Sequence, residues 1–288
     1  MLSLIICSRT PKISEELEKN IADTIGCEYE LVVVDNSLNK YSIFSAYNEG
    51  VKRSKGDVLC FMHEDILYKT INWGQHVEQI FENKDIGVVG VIGSYVLIKD
   101  YGYWDMMAPF VTGYVPYANK NNWKGENNCN FYNGDMASDD VVAVDGMWFC
   151  MSKKMFTEVS FDEKMYKGFH FYDMDICMQS LIAGYTNKII RDIEIWHYCY
   201  PQYNYQYVQA MKLFFQKWNA HLPIFRGEAI GMNDKEYGRL YNSTLWYCRL
   251  LDQYTFYRHD IENSLSYKLG NLIAEPYRKI VRAFKKRK

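Results

Sequence analysis

Short apolar runs alternate with amphipathic stretches through the first half of the chain, which is the pattern that βαβ units with a parallel sheet produce. Residues 2–7 (LSLIIC) predict a buried strand. Thr10 is placed to cap a helix with Pro11 in its first turn, and Ile13, Leu17 and Ile21 then recur at i+4 on one face. Residues 31–34 predict a second strand ending at Asp35, Asn36 and Ser37. A helix over 42–54 presents Ile43, Tyr47 and Val51, with Gly56 placed to end it. Residues 58–62 predict a third strand that runs into His63, Glu64 and Asp65. Polar groups at the carboxyl ends of parallel strands are where ligands bind in open α/β sheets.

Further on, a helix through Trp73, Val77, Ile80 and Phe81 precedes a fourth strand over 87–92. Periodicity then fails over 100–140, a segment rich in Asn, Gly, Tyr and Trp, and a loop of that length in a compact domain is commonly a functional one. Strand character returns over 141–151, interrupted at Asp145 and Gly146, where a glycine permits close approach or a bulge. A helix over 173–184 starts with Asp173 and Asp175, which complement its dipole. Residues 187–195 predict a last strand, with His197 just past its end, and the chain beyond Pro201 reads as helical. The expected organisation is therefore an α/β domain over 1–200 and a helical extension over 201–288, without internal repeats.

Composition narrows the function. A net charge of −2 gives no reason to expect nucleic acid as a partner. The exception is local: residues 277–288 (YRKIVRAFKKRK) are basic, with Ile280, Val281 and Phe284 near helical spacing, a candidate peripheral membrane contact or a solvated end. Eight cysteines form no small-domain disulfide framework and the first residues resemble no signal peptide, so free thiols in a reducing cytoplasm are expected. Aromatic residues reach 16%, suited either to a ring-rich core or to sugar and base surfaces.

Asp35, Glu64, Asp65, Asp173 and His197 all fall at strand ends or a helix start. Together they suit glycosyl transfer, which needs a carboxylate to take the acceptor proton, a surface for base and ribose, and charge to neutralise a departing diphosphate. At these residues the sequence resembles the family-two glycosyltransferases of the GT-A fold, particularly a bacterial branch with a His-Asp-Asp type metal motif. LSLIICSRT is similar to that family's first strand, ELVVVDNS to its second, and SAYNEGVKRSKGDVLCFMHEDI to the helix and strand leading to its metal site. VDGMWFCMSKKMF, FDEKMYKGFHFYDMDICMQSLIAGY and IEIWHY resemble its later half. The resemblance spans about residues 2–198.

What the resemblance implies is a nucleotide-diphospho-sugar transferase: a mostly parallel central sheet flanked by helices, with a helical extension. Ser8, Asp35, Asn36, Glu64 and Asp65 would face the nucleotide-sugar. Asp65 and His197 would hold Mn²⁺ or Mg²⁺, and Asp173 would be the general base. Asp145, Gly146, Trp148 and His170 would lie on the acceptor side. Two positions depart from the family pattern: His63 stands where many members carry an aspartate, and Tyr172 where they carry a glutamate. A nucleotide-diphosphate sugar, with UDP favoured, is the implied donor. A glycan or lipid-linked molecule is the implied acceptor, in surface polysaccharide synthesis at the inner face of the cell membrane. The rival from another class is a nucleotide-sugar or glycan binding protein that has lost catalysis. SRTPKIS offers no phosphate loop for a nucleotidyltransferase, and no G-x-G-x-x-G follows the first strand for a dehydrogenase.

Overall fold

The structure is a computed structural model that describes residues 1–113, 115, 117–119, 122–127, 139–198, 203–272 and 274–275, with the backbone alone described over 117–119 and 122–127. The basic segment 277–288 lies outside the described residues.

A seven-stranded sheet forms the centre. Its strands are β1 (Leu2–Ser8), β2 (Tyr29–Asp35), β3 (Val58–Met62), β4 (Ile86–Gly90), β5 (Asp140–Val141), β6 (Trp148–Ser152) and β7 (Thr186–Ile189), in the order β5-β7-β4-β6-β3-β1-β2. β1 pairs in parallel with β2 and β3, and β7 with β4, while β6 runs antiparallel between β3 and β4 and β5 antiparallel to β7. Five of the seven strands therefore point the same way. Strands β1 and β3 are buried along almost their whole length, which is why they read as continuous apolar runs and not as alternating ones.

The helices cover this sheet and carry the connections. They are α1 (Glu15–Thr24), α2 (Ile43–Arg53), α3 (Trp73–Ile80), α4 (Tyr172–Ile182), α5 (Tyr205–Trp218) and α6 (Asp234–Asn263). Ser42 caps α2 through the Ser45 amide. α1 starts later than expected, because Ser14 and not Thr10 accepts from the third helical amide, Leu17 N, at 3.2 Å. Thr10 instead donates to Lys12 O at 2.6 Å and closes the turn before the helix. Gly56 does not end α2, which is capped by Ser54; a Cβ at 56 would lie 2.6 Å from Met1 O, so the glycine lets β3 start against β1. The single strand expected over 187–195 is two: β7, and Ile195–His197, which pairs antiparallel with Ile66–Tyr68 in a separate small sheet.

The helix pair α5 and α6 is fastened to the sheet domain by buried polar contacts. Asp175, on α4, is 1% exposed and accepts from Trp218 Nε1 at 2.7 Å and from Gln179 Nε2 at 2.8 Å, with Lys217 Nζ at 2.9 Å. Lys217 also pairs with Asp162 at 2.9 Å. Asp175 thus ties α4 to the end of α5, well beyond a helix-dipole role. On the other side Asp100 accepts from Asn219 Nδ2 at 2.7 Å and from the Tyr241 hydroxyl, on α6, at 2.8 Å.

Removing one partner of a buried pair strands the other charge, which costs far more than losing a surface pair. Lys217→Ala is expected to cost about 2–4 kcal/mol in urea unfolding, whereas Lys19→Ala, which breaks the exposed pair with Asp23, costs less than about 1 kcal/mol.

Candidate active site

Register decides which residues meet. Ser8 lies opposite Asp35, and Ile6 opposite Met62, so the carboxyl ends of β1, β2 and β3 form one edge. β6 runs the other way and begins at that edge, with Trp148 beside Met62. The turn before it, Asp145 to Met147, therefore sits against the residues that follow β3, and His63 N donates to Met147 O at 2.8 Å. The small sheet places His197 opposite Ile66, one residue past Asp65, and Tyr198 N donates to Asp65 O at 2.9 Å.

At the centre of this edge His63, Asp65 and His197 converge. His63 Nδ1 lies 3.4 Å from His197 Nε2 and 3.7 Å from Asp65 Oδ1, and His197 Nε2 lies 3.4 Å from the same carboxylate oxygen. These are the only three-residue group of His, Cys, Asp or Glu among the described residues that can hold a metal ion. Ligands about 2.1 Å from one ion sit roughly 3.0–3.5 Å apart, so the spacing fits a single cation. Burial alone would raise the Asp65 pKa, but the hydrogen bond and charge of His197, together with His63, pull it down to about 2. Burial, and then the neighbouring His197, hold His63 down to about 4, so its ring is neutral at physiological pH.

The tautomer of His63 follows from a proton count. The Tyr172 hydroxyl is 3.0 Å from Gly146 O and 2.8 Å from His63 Nε2. A carbonyl only accepts, and a phenol has one proton. The arrangement that satisfies both contacts has Tyr172 donating to Gly146 O and His63 Nε2–H donating to the Tyr172 oxygen, which leaves the Nδ1 lone pair facing Asp65 and His197. The sequence marked His63 only as a departure from the family pattern; the structure places it among the three converging groups.

Beside this group stands Asp173, 1% exposed in the first turn of α4. The residue before the helix, Phe171, is held at φ 67°, a left-handed conformation that costs a bulky residue of order 1–3 kcal/mol. Packing against Tyr103, Tyr207 and Phe214, with ring centroids 5.2, 5.2 and 5.5 Å away, keeps it there. Tyr103 donates its hydroxyl to Asp173 Oδ2, and Met174 N donates to Oδ1 at 2.9 Å. Burial, with the nearby charge of Asp145 as the second cause, pushes Asp173 up to about 7. Asp145 is itself raised by burial, with His197 acting in the opposite sense, and its Oδ1 accepts from Met147 N at 2.7 Å. A third acid, Asp105, takes the Tyr203 hydroxyl and is pushed up to about 6, chiefly by burial. Tyr103, Asp105 and Tyr203 come from the aperiodic segment and the start of α5, and no spacing in the sequence announces them.

The remaining candidates divide. Ser8 is buried and donates to Glu64 Oε2 at 2.5 Å, with Arg9 N 3.3 Å from Oε1, so the two hold β1 to the turn after β3. Asp35 is exposed at the end of β2, its carboxylate lowered by the Ser37 amide at 2.9 Å. Asn36 uses both ends of its amide on the backbone of Tyr41, at 2.8 and 2.9 Å, and shapes the loop after β2. Gly146 is required by Tyr172: a Cβ there would lie 2.4 Å from the hydroxyl. His170 packs edge-on against Tyr207 of α5, 5.4 Å between centroids. Trp148 is corrected. It is 0% exposed and packs edge-on against Trp73 at 6.0 Å, so it supports the sheet from within and has no face to offer a sugar.

Comparison with known proteins follows the same edge. The family model described as glycosyltransferase like family matches residues 3–218, which run from β1 through α5. The chain belongs to this family. By that match it is a family-two glycosyltransferase. No curated protein sequence matches it. Among solved structures, GalNAc-T7 with UDP, GalNAc and Mn²⁺ is similar at 11% identity, over 73% of this chain and 46% of that one, with a TM-score of 0.48. TarS of S. aureus is similar at 11% identity, over 85% and 42%, with a TM-score of 0.45. A197 from STIV is similar at 13% identity, over 69% and 86%, with a TM-score of 0.41. The chain spans less than half the length of the GalNAc-T7 and TarS chains it matches.

Asp173 gives the glycosyltransferase a measurable pH signature. Below the ordinary carboxylate range both folded and unfolded states are protonated at this position. As pH rises from about 4 to about 7 the unfolded chain ionises while the folded one keeps its proton, so stability falls, and above that the penalty is constant. Asp173→Asn is therefore expected to raise stability by on the order of 1–4 kcal/mol at pH 8, with the gain vanishing near pH 4, as read from chemical unfolding across that range.

Proposed function

We propose that this glycosyltransferase is an inverting, metal-dependent hexosyltransferase in which Asp173 is the general base. The observation that carries the reading is a buried carboxylate, raised to about 7, at the edge where His63, Asp65 and His197 converge. A base whose pKa lies near the working pH both exists in the ionised form and binds a proton usefully. In the transfer, the Asp173 carboxylate takes the proton of the acceptor hydroxyl as that oxygen bonds to the anomeric carbon and the bond to the diphosphate breaks. Tyr103 orients the carboxylate through its hydroxyl. Asp145, whose charge raises Asp173, keeps the base from ionising too early.

His63, Asp65 and His197 are the groups that would hold the cation. Two ring nitrogens and one carboxylate suit Mn²⁺ better than Mg²⁺, which prefers an all-oxygen shell. When bound, such an ion stabilises the charge of the leaving diphosphate. Tyr172 fixes the tautomer that makes His63 a ligand. Asp35, exposed at the end of β2, is placed for the ribose or base, and Ser8 and Glu64 hold the floor between them. The donor we favour is a UDP-sugar, and the acceptor a glycan or lipid-linked molecule approaching past Asp145, Gly146 and His170, with residues 201–288 as an extension on the acceptor side. Work at the cytoplasmic face of the membrane in surface polysaccharide synthesis fits these assignments.

Asp173→Asn should lower turnover by about 10²–10⁴ while nucleotide binding survives; loss of nucleotide binding in that variant would contradict the role given to Asp173. Thermal unfolding with UDP and Mn²⁺ should show a stabilisation of about 2.7 kcal/mol at a hundredfold excess over Kd, abolished by EDTA. Neither sugar transfer nor donor hydrolysis, with the shift retained, would favour the binding protein that has lost catalysis. Tyr172→Phe should leave the fold intact and weaken Mn²⁺ binding by roughly 10–100-fold in titration followed by electron paramagnetic resonance, because nothing then selects the His63 tautomer.

A further inference from the structure

α6 is a helix with two apolar faces. Leu240, Thr244, Cys248, Leu251 and Thr255 are buried against the rest of the molecule. Trp246, Leu250, Tyr254, Tyr257 and Ile261 repeat with the same spacing, offset by six residues, which places them on a separate face about 120° around the helix from the buried row. All five are exposed, Trp246 by 66% and Tyr257 by 64%. The stripe runs for about 22 Å along the helix, and single exposed apolar residues are ordinary whereas a continuous row of this length marks an interaction surface. Elsewhere on α6, Asp252 pairs with Lys212 of α5 at 2.9 Å and Glu262 with Arg258 at 2.8 Å.

We propose that this outer face of α6 docks on an anionic lipid bilayer, with residues 277–288 supplying the electrostatic half of the attachment. Trp and Tyr are the residues that settle at a membrane interface, since their rings bury apolar surface while a polar tip stays wet. Residues 277–288 add seven basic side chains and no acidic one. Anionic headgroups complement such a segment, and an apolar face combined with a polybasic run gives the two signals that stable peripheral attachment needs. No helix among the described residues is long and apolar enough to cross a membrane, so the contact lies in the interface.

The docked face is also close to the site. Tyr247, on the same helix, lies 6.5 Å from Tyr203 between ring centroids, and Tyr203 donates to Asp105. A bilayer against α6 would therefore present a lipid-linked acceptor to the side of the site lined by Asp105 and Asp173. That consequence rests on the transferase reading; the docking does not, and it is measured without donor or acceptor.

The test is co-sedimentation of the full chain with phosphatidylcholine vesicles, with and without phosphatidylglycerol. Wild type should partition at least about tenfold more strongly onto the anionic vesicles, with a blue shift of Trp emission that Trp246→Phe removes. Trp246→Ser/Tyr254→Ser/Tyr257→Ser and, separately, Lys285→Gln/Lys286→Gln/Arg287→Gln/Lys288→Gln should each lose about tenfold or more of that binding. Leu250→Asn serves in place of the triple variant if circular dichroism shows that the latter is unfolded. The proposal is overturned by absence of binding to anionic vesicles at low salt, or by a stripe variant that binds like wild type. It is equally overturned if light scattering shows a wild-type dimer that the stripe variant dissociates, which would make a second copy the occupant.

Discussion

The approach of Tyr172 to the backbone of Gly146 is the contact on which the rest of the site depends. It joins three separate pieces of chain: the turn that starts β6, the first residue of α4 and the histidine that follows β3. Only a glycine leaves room for it, since any Cβ at 146 would fall within 2.4 Å of the phenol oxygen. Because the phenol's single proton goes to the carbonyl, the contact also dictates which nitrogen of His63 is bare. Position and protonation state are thus set by one hydroxyl. The strained φ of Phe171 belongs to the same device, because it turns the chain sharply enough for Tyr172 and Asp173 to enter the site together.

Five of the carboxylates in or under this edge are treated differently by the fold. Asp65 gains more from two imidazoles than it loses by burial, and its pKa falls to about 2. Asp173 has a hydroxyl and a backbone amide but no cation, so burial dominates and its pKa rises to about 7. Asp145 and Asp105 are raised for the same reason. Asp175, two residues along from Asp173, has a lysine, an indole and an amide around it and fastens α4 to α5. Neighbouring aspartates in one helical turn thus divide into the one proposed as the base and the one that fastens α4 to α5, and what separates them is the chain that packs against each, not their place in the sequence.

That division explains what could be read from the sequence. The buried strands were legible because each is a continuous apolar run, and their polar ends named Asp35 and His63 to Asp65 as one edge, with Ser8 added by the family resemblance. α2 was legible from the i+4 spacing of Ile43, Tyr47 and Val51, because that spacing depends only on residues close in the chain. Contacts between distant segments left no local trace: the pairing of Tyr103 with Asp173 spans 70 residues, and that of Lys217 with Asp175 spans 42. Trp148 was misread because its neighbours Asp145 and Gly146 are in the site while strand alternation turns its own side chain into the core. Thr10 was misread as a helix cap because Ser14, four residues on, offers the same hydroxyl in a better place.

The two departures from the family pattern make physical sense as a pair. A carboxylate at position 172 would bring another negative charge into a pocket where Asp145 and Asp173 already raise the cost of ionisation, and an imidazole at 63 would have no neutral group to fix its proton. With tyrosine at 172 the added group is uncharged and fully hydrogen-bonded. With histidine at 63 the converging set carries one carboxylate, on Asp65, in place of two. A neutral ligand lowers the total charge buried at the edge, which favours a cation that accepts nitrogen and keeps Asp173 from being forced still higher. Either substitution alone would leave a buried polar group without its complement; together they satisfy each other.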